Sequence, residues 1–150
     1  MRWMVLVLLA GCGQGLSGSW AGTCDLAASI GEIELLTGDL GESAQPREDV
    51  AGEHDLYLVT QAELTLPAGD VQQVGVELVH CRGKDGCVWD DVRMERNEGL
   101  MVVLDDQERL LMHGWGPLKG KSIQGTCLHD QFTGEGDLVL ERTRKGLENQ

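Results

Sequence analysis

The chain has 150 residues, with 25 acidic against 12 basic side chains, 21 glycines and a net charge of -13 at pH 7. Acidity on this scale excludes a nucleic-acid binder working through general electrostatics, because phosphate backbones repel it, and argues against docking flat on anionic lipid headgroups. Abundant glycine and few helix-favouring runs point to strands joined by tight turns.

The chain opens with one cation, Arg2, then stays apolar from Trp3 to Ala10 before small residues and a cysteine. A cationic start, a short apolar core and a small-residue exit make a secretory signal. The run falls well short of the roughly 20 apolar residues that span a bilayer. Leu9-Ala10-Gly11-Cys12 resembles the lipobox of bacterial lipoproteins. That resemblance implies cleavage after Gly11, a diacylglycerol on the Cys12 thiol and an acylated Cys12 amine. At about 0.8 kcal/mol per buried methylene, several acyl chains anchor a protein to a membrane almost permanently. Gly13 rather than Asp after the cysteine implies, by the Gram-negative sorting pattern, the outer membrane of the cell envelope. Residues 1–11 are then the signal peptide and 12–18 a tether of mostly small residues. Removing 1–11 leaves 139 residues and takes away one charge, Arg2, so the remainder carries -14. That length suits one domain, assigned to 19–143.

Ser19–Leu26 reads as the first strand, with Trp20 as its large apolar anchor, and Ile30–Leu36 alternates as a half-buried strand or short helix. Thr37–Glu53, rich in glycine and acids, reads as a loop. His54–Leu66 has the clearest period of two: Leu56, Leu58, Thr60, Ala62, Leu64 and Leu66 share one face, with Tyr57, Val59, Gln61, Glu63 and Thr65 on the other. Pro67–Asp70 turns the chain into Val71–Cys81, whose Val74, Val76 and Leu78 point inward. Val88, Val92 and Met94 alternate with charged residues, and Asn97-Glu98-Gly99 reads as a hairpin turn. Leu100–Leu104 and Arg109–His113 pair across Asp105–Glu108, and Gly114-Trp115-Gly116-Pro117 reads as a break. Ser122–His129 and Gly136–Arg142 form the last pair, and 144–150 is a polar tail. Eight or nine antiparallel strands with short connections close most readily into an up-and-down β-barrel, with a β-sandwich as the alternative.

With Cys12 assigned to lipid, Cys24, Cys81, Cys87 and Cys127 remain, an even number that suggests two disulfides in an exported protein. Of three possible pairings, Cys81–Cys87 closes a turn-like segment with two glycines, and Cys24–Cys127 joins the first strand to a late one. The long link is worth up to about 4.7 kcal/mol in the chain-entropy picture, and the short one roughly half. The spacing contains no Cys-x-x-Cys pair, so metal ligation is the weaker use of these thiols.

Gly18-Ser19-Trp20 at the start of the first strand resembles the Gly-x-Trp signature of lipocalin-like barrels. That resemblance implies that Trp20 plugs the closed end of a barrel and that an Arg on the last strand, here Arg142, stacks over it in a cation–π contact. Neither a Thr-Asp-Tyr motif nor a helix after the last strand is present, so the likeness is to a small barrel of separate lineage. Trp20, a disulfide, Trp89 and the run Gly99–Asp105 also resemble small periplasmic barrels that inhibit metalloproteases, which insert an N-terminal strand into the protease cleft.

No catalytic constellation emerges. His54, His80, His113 and His129 do not pair at a metal-ligand spacing, and no Gly-x-Ser-x-Gly is present. Trp89-Asp90-Asp91 and Asp105-Asp106 put carboxylates at turns without EF-hand spacing. Asp39, Glu42, Glu48, Asp49 and Glu53 concentrate negative charge in one loop. The sequence therefore points to a non-catalytic binding or envelope-associated module without cofactor or metal. Its expected partner is a small apolar ligand in the barrel or an envelope protein; the alternative is a barrel-type protease inhibitor or other protein-binding lipoprotein. A hollow interior of several hundred cubic ångströms marks the ligand carrier, and a filled one marks the protein-facing barrel.

Overall fold

The structure, a computed structural model, describes residues 15–27 and 29–144. The segment expected to be a signal peptide (1–11), the expected lipidation site Cys12 and the residues of the expected polar tail beyond 144 lie outside that range. The described residues form strands and turns with no helix. Eight long strands make a ring: β1 (Ser19–Leu26), β2 (Gly31–Thr37), β5 (His54–Thr65), β6 (Val71–Cys81), β9 (Glu98–Leu104), β10 (Leu110–Lys119), β11 (Ser122–His129) and β12 (Phe132–Arg144). Each pairs antiparallel with its neighbour in this order. β1 against β12 and β2 against β5 close the circle, which makes an up-and-down barrel rather than a sandwich. Of four short strands, β3 (Gly41–Glu42) pairs with β5 outside the ring, while β4 (Val50–Ala51), β7 (Cys87–Trp89) and β8 (Val92–Met94) form a separate three-stranded sheet. The segment read as a loop, Thr37–Glu53, therefore carries β3 and β4. They are too short to show a period.

The ring closes because alternate residues are apolar on every long strand, and only a closed sheet buries them all without leaving a free edge. Trp20, Ile33, Leu64, Leu78, Met101, Ile123, Cys127 and Leu140 belong to one interior cluster. Ile33, Leu64, Leu78, Met101, Val103, Ile123 and Cys127 have 0% of their surface accessible. A side chain facing a water-sized void would retain accessible surface, so these residues meet only other protein atoms. Around them the barrel is filled.

The turns 27–30, 66–70, 105–109 and 130–131 lie at one end, and the long connections 38–53 and 82–97 lie at the other. The latter end carries the small sheet, whose Val50, Trp89, Val92 and Met94 cover Leu56, Val79, Leu100 and Val102 on the outer face of β5, β6 and β9. Here both faces of the barrel wall are buried, which accounts for the unbroken apolar run Leu100–Leu104.

Two local readings change. β5 does not keep one phase: a bulge lies between Val59 and Ala62, so Tyr57 faces the interior with Ala62 and Leu64, while Leu58 is 40% exposed. An extra residue in one strand swaps the faces downstream of it. Nor does Gly114–Pro117 break the chain, because β10 runs through it to Lys119. A Cβ on Gly116 would lie 2.1 Å from Gln124 O, and one on Gly125 would lie 1.9 Å from Trp115 O. The glycines are what let β10 and β11 approach.

Both disulfides form as expected, Cys24–Cys127 and Cys81–Cys87. The first joins strands that are not neighbours, spanning the interior side of β12 with its Cα atoms 6.1 Å apart. Gly136 of β12 lies beneath, where a Cβ would come within 2.6 Å of Asp25 O.

Candidate functional site

The end that carries the long connections is sealed by residues from three parts of the chain. Trp20 is buried, and its Nε1 donates to Leu16 O at 2.8 Å. Its backbone N donates to Thr37 Oγ1 at 2.8 Å, and that hydroxyl in turn donates to Gly38 O at 2.8 Å. The Arg142 guanidinium lies 6.0 Å from the Trp20 ring and donates through one nitrogen to Gly15 O at 3.1 Å and Ser17 O at 3.0 Å. Gly18 and Leu40 exchange two backbone hydrogen bonds, at 3.1 and 2.9 Å. Gly18 has φ 115°, a conformation that favours glycine. Gly18, Trp20 and Arg142 thus meet at one end of the barrel.

What the sequence did not reveal is how much else joins them. Leu16, inside the segment assigned to the tether, is 1% exposed, and Leu40 and Tyr57 are buried beside it. A Cβ on Gly15 would sit 2.6 Å from the Tyr57 hydroxyl. Burial, and then the nearby Glu42 and Asp55 carboxylates, push the Tyr57 pKa up. Residues 15–18 therefore belong to the folded body. The available signal was Leu16 itself, the one large apolar residue between Cys12 and Trp20.

A second arrangement lies outside the barrel. Trp89 of the small sheet meets the His113 ring edge-on at 5.0 Å, and His113 stacks on Trp115 at 5.8 Å. Arg47 lies 5.9 Å from the Trp89 ring and is ion-paired with Asp49 at 2.7 Å and with Glu77. Trp89 Nε1 donates to Asp49 at 2.9 Å. Burial pushes the Asp49 pKa up, but the bonds from Trp89 and Arg47 outweigh it and leave the carboxyl below its ordinary value. Burial lowers the His113 pKa, with Asp90 opposing.

The other candidate groups are dispersed. His54 accepts from Arg47 N at 3.0 Å, His80 lies 3.3 Å from Asn97 Oδ1, and His129 accepts from Gln131 N at 3.1 Å. Glu53 pairs with Arg82, so the acidic loop does not converge on one point. Asp105 accepts from the backbone N–H groups of Gln107 and Arg109, which folds its own turn. Among the described residues, no group of three or more His, Cys, Asp or Glu side chains is arranged to hold a metal ion.

A third feature lies on the outer wall of β12, β1, β2 and β5. A groove of about 440 Å³ is floored by Ala21, Gly22, Thr23 and Val139 and edged by Glu34, Glu63 and Glu141. Leu36, in the same groove, is 56% exposed. Alternation separated Glu63 and Thr65 from Ala62 and Leu64, but gave no sign that the small residues of β1 would leave a trough beside them.

No protein-family model, curated protein or solved structure matches the chain.

Proposed function

We infer that this chain is an exported lipoprotein, held to the cell envelope by acylated Cys12, whose barrel is a non-catalytic module that binds a protein through its outer surface. One observation carries the choice between a ligand carrier and a protein-facing barrel. The interior is occupied by side chains such as Leu78, Met101 and Ile123 with no accessible surface. A carrier needs several hundred cubic ångströms of space for its ligand.

Export is supported by the lipobox and by two disulfides, which persist in oxidising compartments. Insertion of an N-terminal strand into a protease cleft is the less favoured protein-binding mode. Leu16, which such a strand would need to release, is packed into the barrel end, and Arg142 holds the carbonyls on either side of it.

The test is expression in a Gram-negative host with labelled palmitate, followed by native mass spectrometry of the processed protein. The expected result is label that disappears in Cys12→Ser and a protein mass explained by the acylated chain with two disulfides. Lipid or another small apolar molecule held stoichiometrically in the wild type, beyond the covalent acyl chains, would overturn the protein-facing reading. Label that persists in Cys12→Ser would overturn the anchor.

A further inference from the structure

We propose that the groove on the outer wall of β12, β1, β2 and β5 docks a cationic amphipathic segment of a partner protein. The proposal deepens the protein-facing reading above and rests on it.

The strand register sets the outward side chains in three rungs. Glu141, Ala21, Leu36 and Glu63 stand opposite one another across the four strands. Next come Val139, Thr23, Glu34 and Thr65, and then Asp137, Asp25 and Glu32. The first two rungs place apolar residues along a diagonal, with Leu36 56% and Val139 38% exposed over the small side chains of β1. These are two of the four large hydrophobics exposed among the described residues, and Val71, 58% exposed, extends the row beyond Thr65.

The rungs carry six carboxylates and no lysine or arginine. Among the described residues, the ion pairs are Arg47 with Asp49 and Glu77, Arg82 with Glu53 and Asp55, and Arg109 with Asp105, and none of them involves these six carboxylates. Asp137, Asp25 and Glu32 stand directly opposite one another, an arrangement that destabilises a sheet. Cations supplied from outside relieve that repulsion, and an apolar segment between them covers Leu36 and Val139.

The chemistry selects the occupant. Anionic lipid and nucleic acid are repelled. The carboxylates are spread along strands at about 7 Å per two residues rather than gathered on one point. Lysines and arginines repeating along a peptide, with apolar residues between them, match that spread.

The test uses the full acylated protein in phosphatidylcholine nanodiscs, with empty discs as blank. The probe is a 14-residue peptide of alternating Lys and Leu blocks bearing a fluorophore and a photo-crosslinker. Anisotropy is expected to show saturable binding that weakens with salt, as screening requires. Replacing Glu34, Glu63 and Glu141 together by Gln is expected to weaken binding about tenfold, the sum of three modest exposed ion pairs. Leu36→Ser is expected to weaken it at unchanged charge. The control triple Asp85→Asn, Asp106→Asn, Glu108→Gln, equal in charge but off the wall, is expected to bind as wild type. Crosslinks on the unmodified protein are expected on β12, β1 and β2.

Equal losses in wall and control variants, crosslinks elsewhere, or full competition by spermine would overturn the proposal. The last result would make a small polycation the occupant. A dry interior together with no peptide binding removes this inference alone, whereas a ligand-filled interior removes the reading it rests on.

Discussion

Leu16→Ala separates a plug from a tether. The side chain is 1% exposed, packed with Trp20, Leu40 and Tyr57 at the sealed end. Truncation removes three carbon groups, about 2.4 kcal/mol of transfer free energy at 0.8 per methylene. A cavity left behind adds to this, and Leu→Ala changes in cores cost roughly 2–5 kcal/mol. The segment can partly collapse, because Gly15 and Ser17 are held mainly through backbone carbonyls, so the expected loss is about 2.5–4 kcal/mol. For a domain of this size that lowers Tm by roughly 8–15 °C. Urea unfolding followed by tryptophan fluorescence measures it, with Ser17→Ala, an exposed neighbour, as reference. The slope against denaturant is expected to stay unchanged, because the surface exposed on unfolding is nearly the same. If the two variants unfold within about 0.5 kcal/mol of each other, as ordinary surface changes do, residues 15–18 are a tether and the account of the sealed end is wrong.

Replacing Cys24 and Cys127 together by Ala is expected to cost more than replacing Cys81 and Cys87. The closed segments differ, with sequence separations of 103 and 6, which the loop-entropy relation turns into about 4.7 against about 2.3 kcal/mol. Unfolding curves of the two double variants without reductant check the ranking, and the reverse order would refute it. Burial lowers the pKa values of His113 and His129 below 6.5, so the unfolded chain takes up protons before the folded one. Their contribution to stability is full above about pH 6.5 and drains away as pH falls toward the folded-state values. Unfolding midpoints between pH 7.5 and 5.5 are expected to fall, and to fall less in His113→Phe, which keeps an aromatic ring beside Trp115. An equal fall in both proteins would show that His113 is not among the groups responsible.

Sequence pattern reached far into the fold because a filled barrel writes itself as alternation. Ser19–Leu26 has the bounds expected of it, and Val74, Val76 and Leu78 face inward as read. The cysteine pairing was legible because Cys24 and Cys127 lie on strands that only a closed sheet brings together. The bulge in β5 was hidden because Leu58 and Thr60 continue the apparent period; only the adjacent exposed pair Thr60 and Gln61 marks it. The small sheet was hidden by brevity, although Leu100–Leu104, apolar on both faces, announced that something covers the wall. At the sealed end, Trp20 and Arg142 carried a recognisable pattern, while Leu16 and Tyr57 take part through contacts between distant residues. The outer groove depends on strand register, which alternation alone leaves open.

The two extremities of the folded body are fastened to each other. β12 pairs with β1, Arg142 reaches back to Gly15 and Ser17, and Thr143 donates to Ser19 O. The opening strand is therefore paired on one side only, with β2, until the closing one arrives. Until then the curled sheet has two raw borders and a greasy inner face, a state prone to aggregation. Closure of the ring has to wait for β12, the last strand to join it.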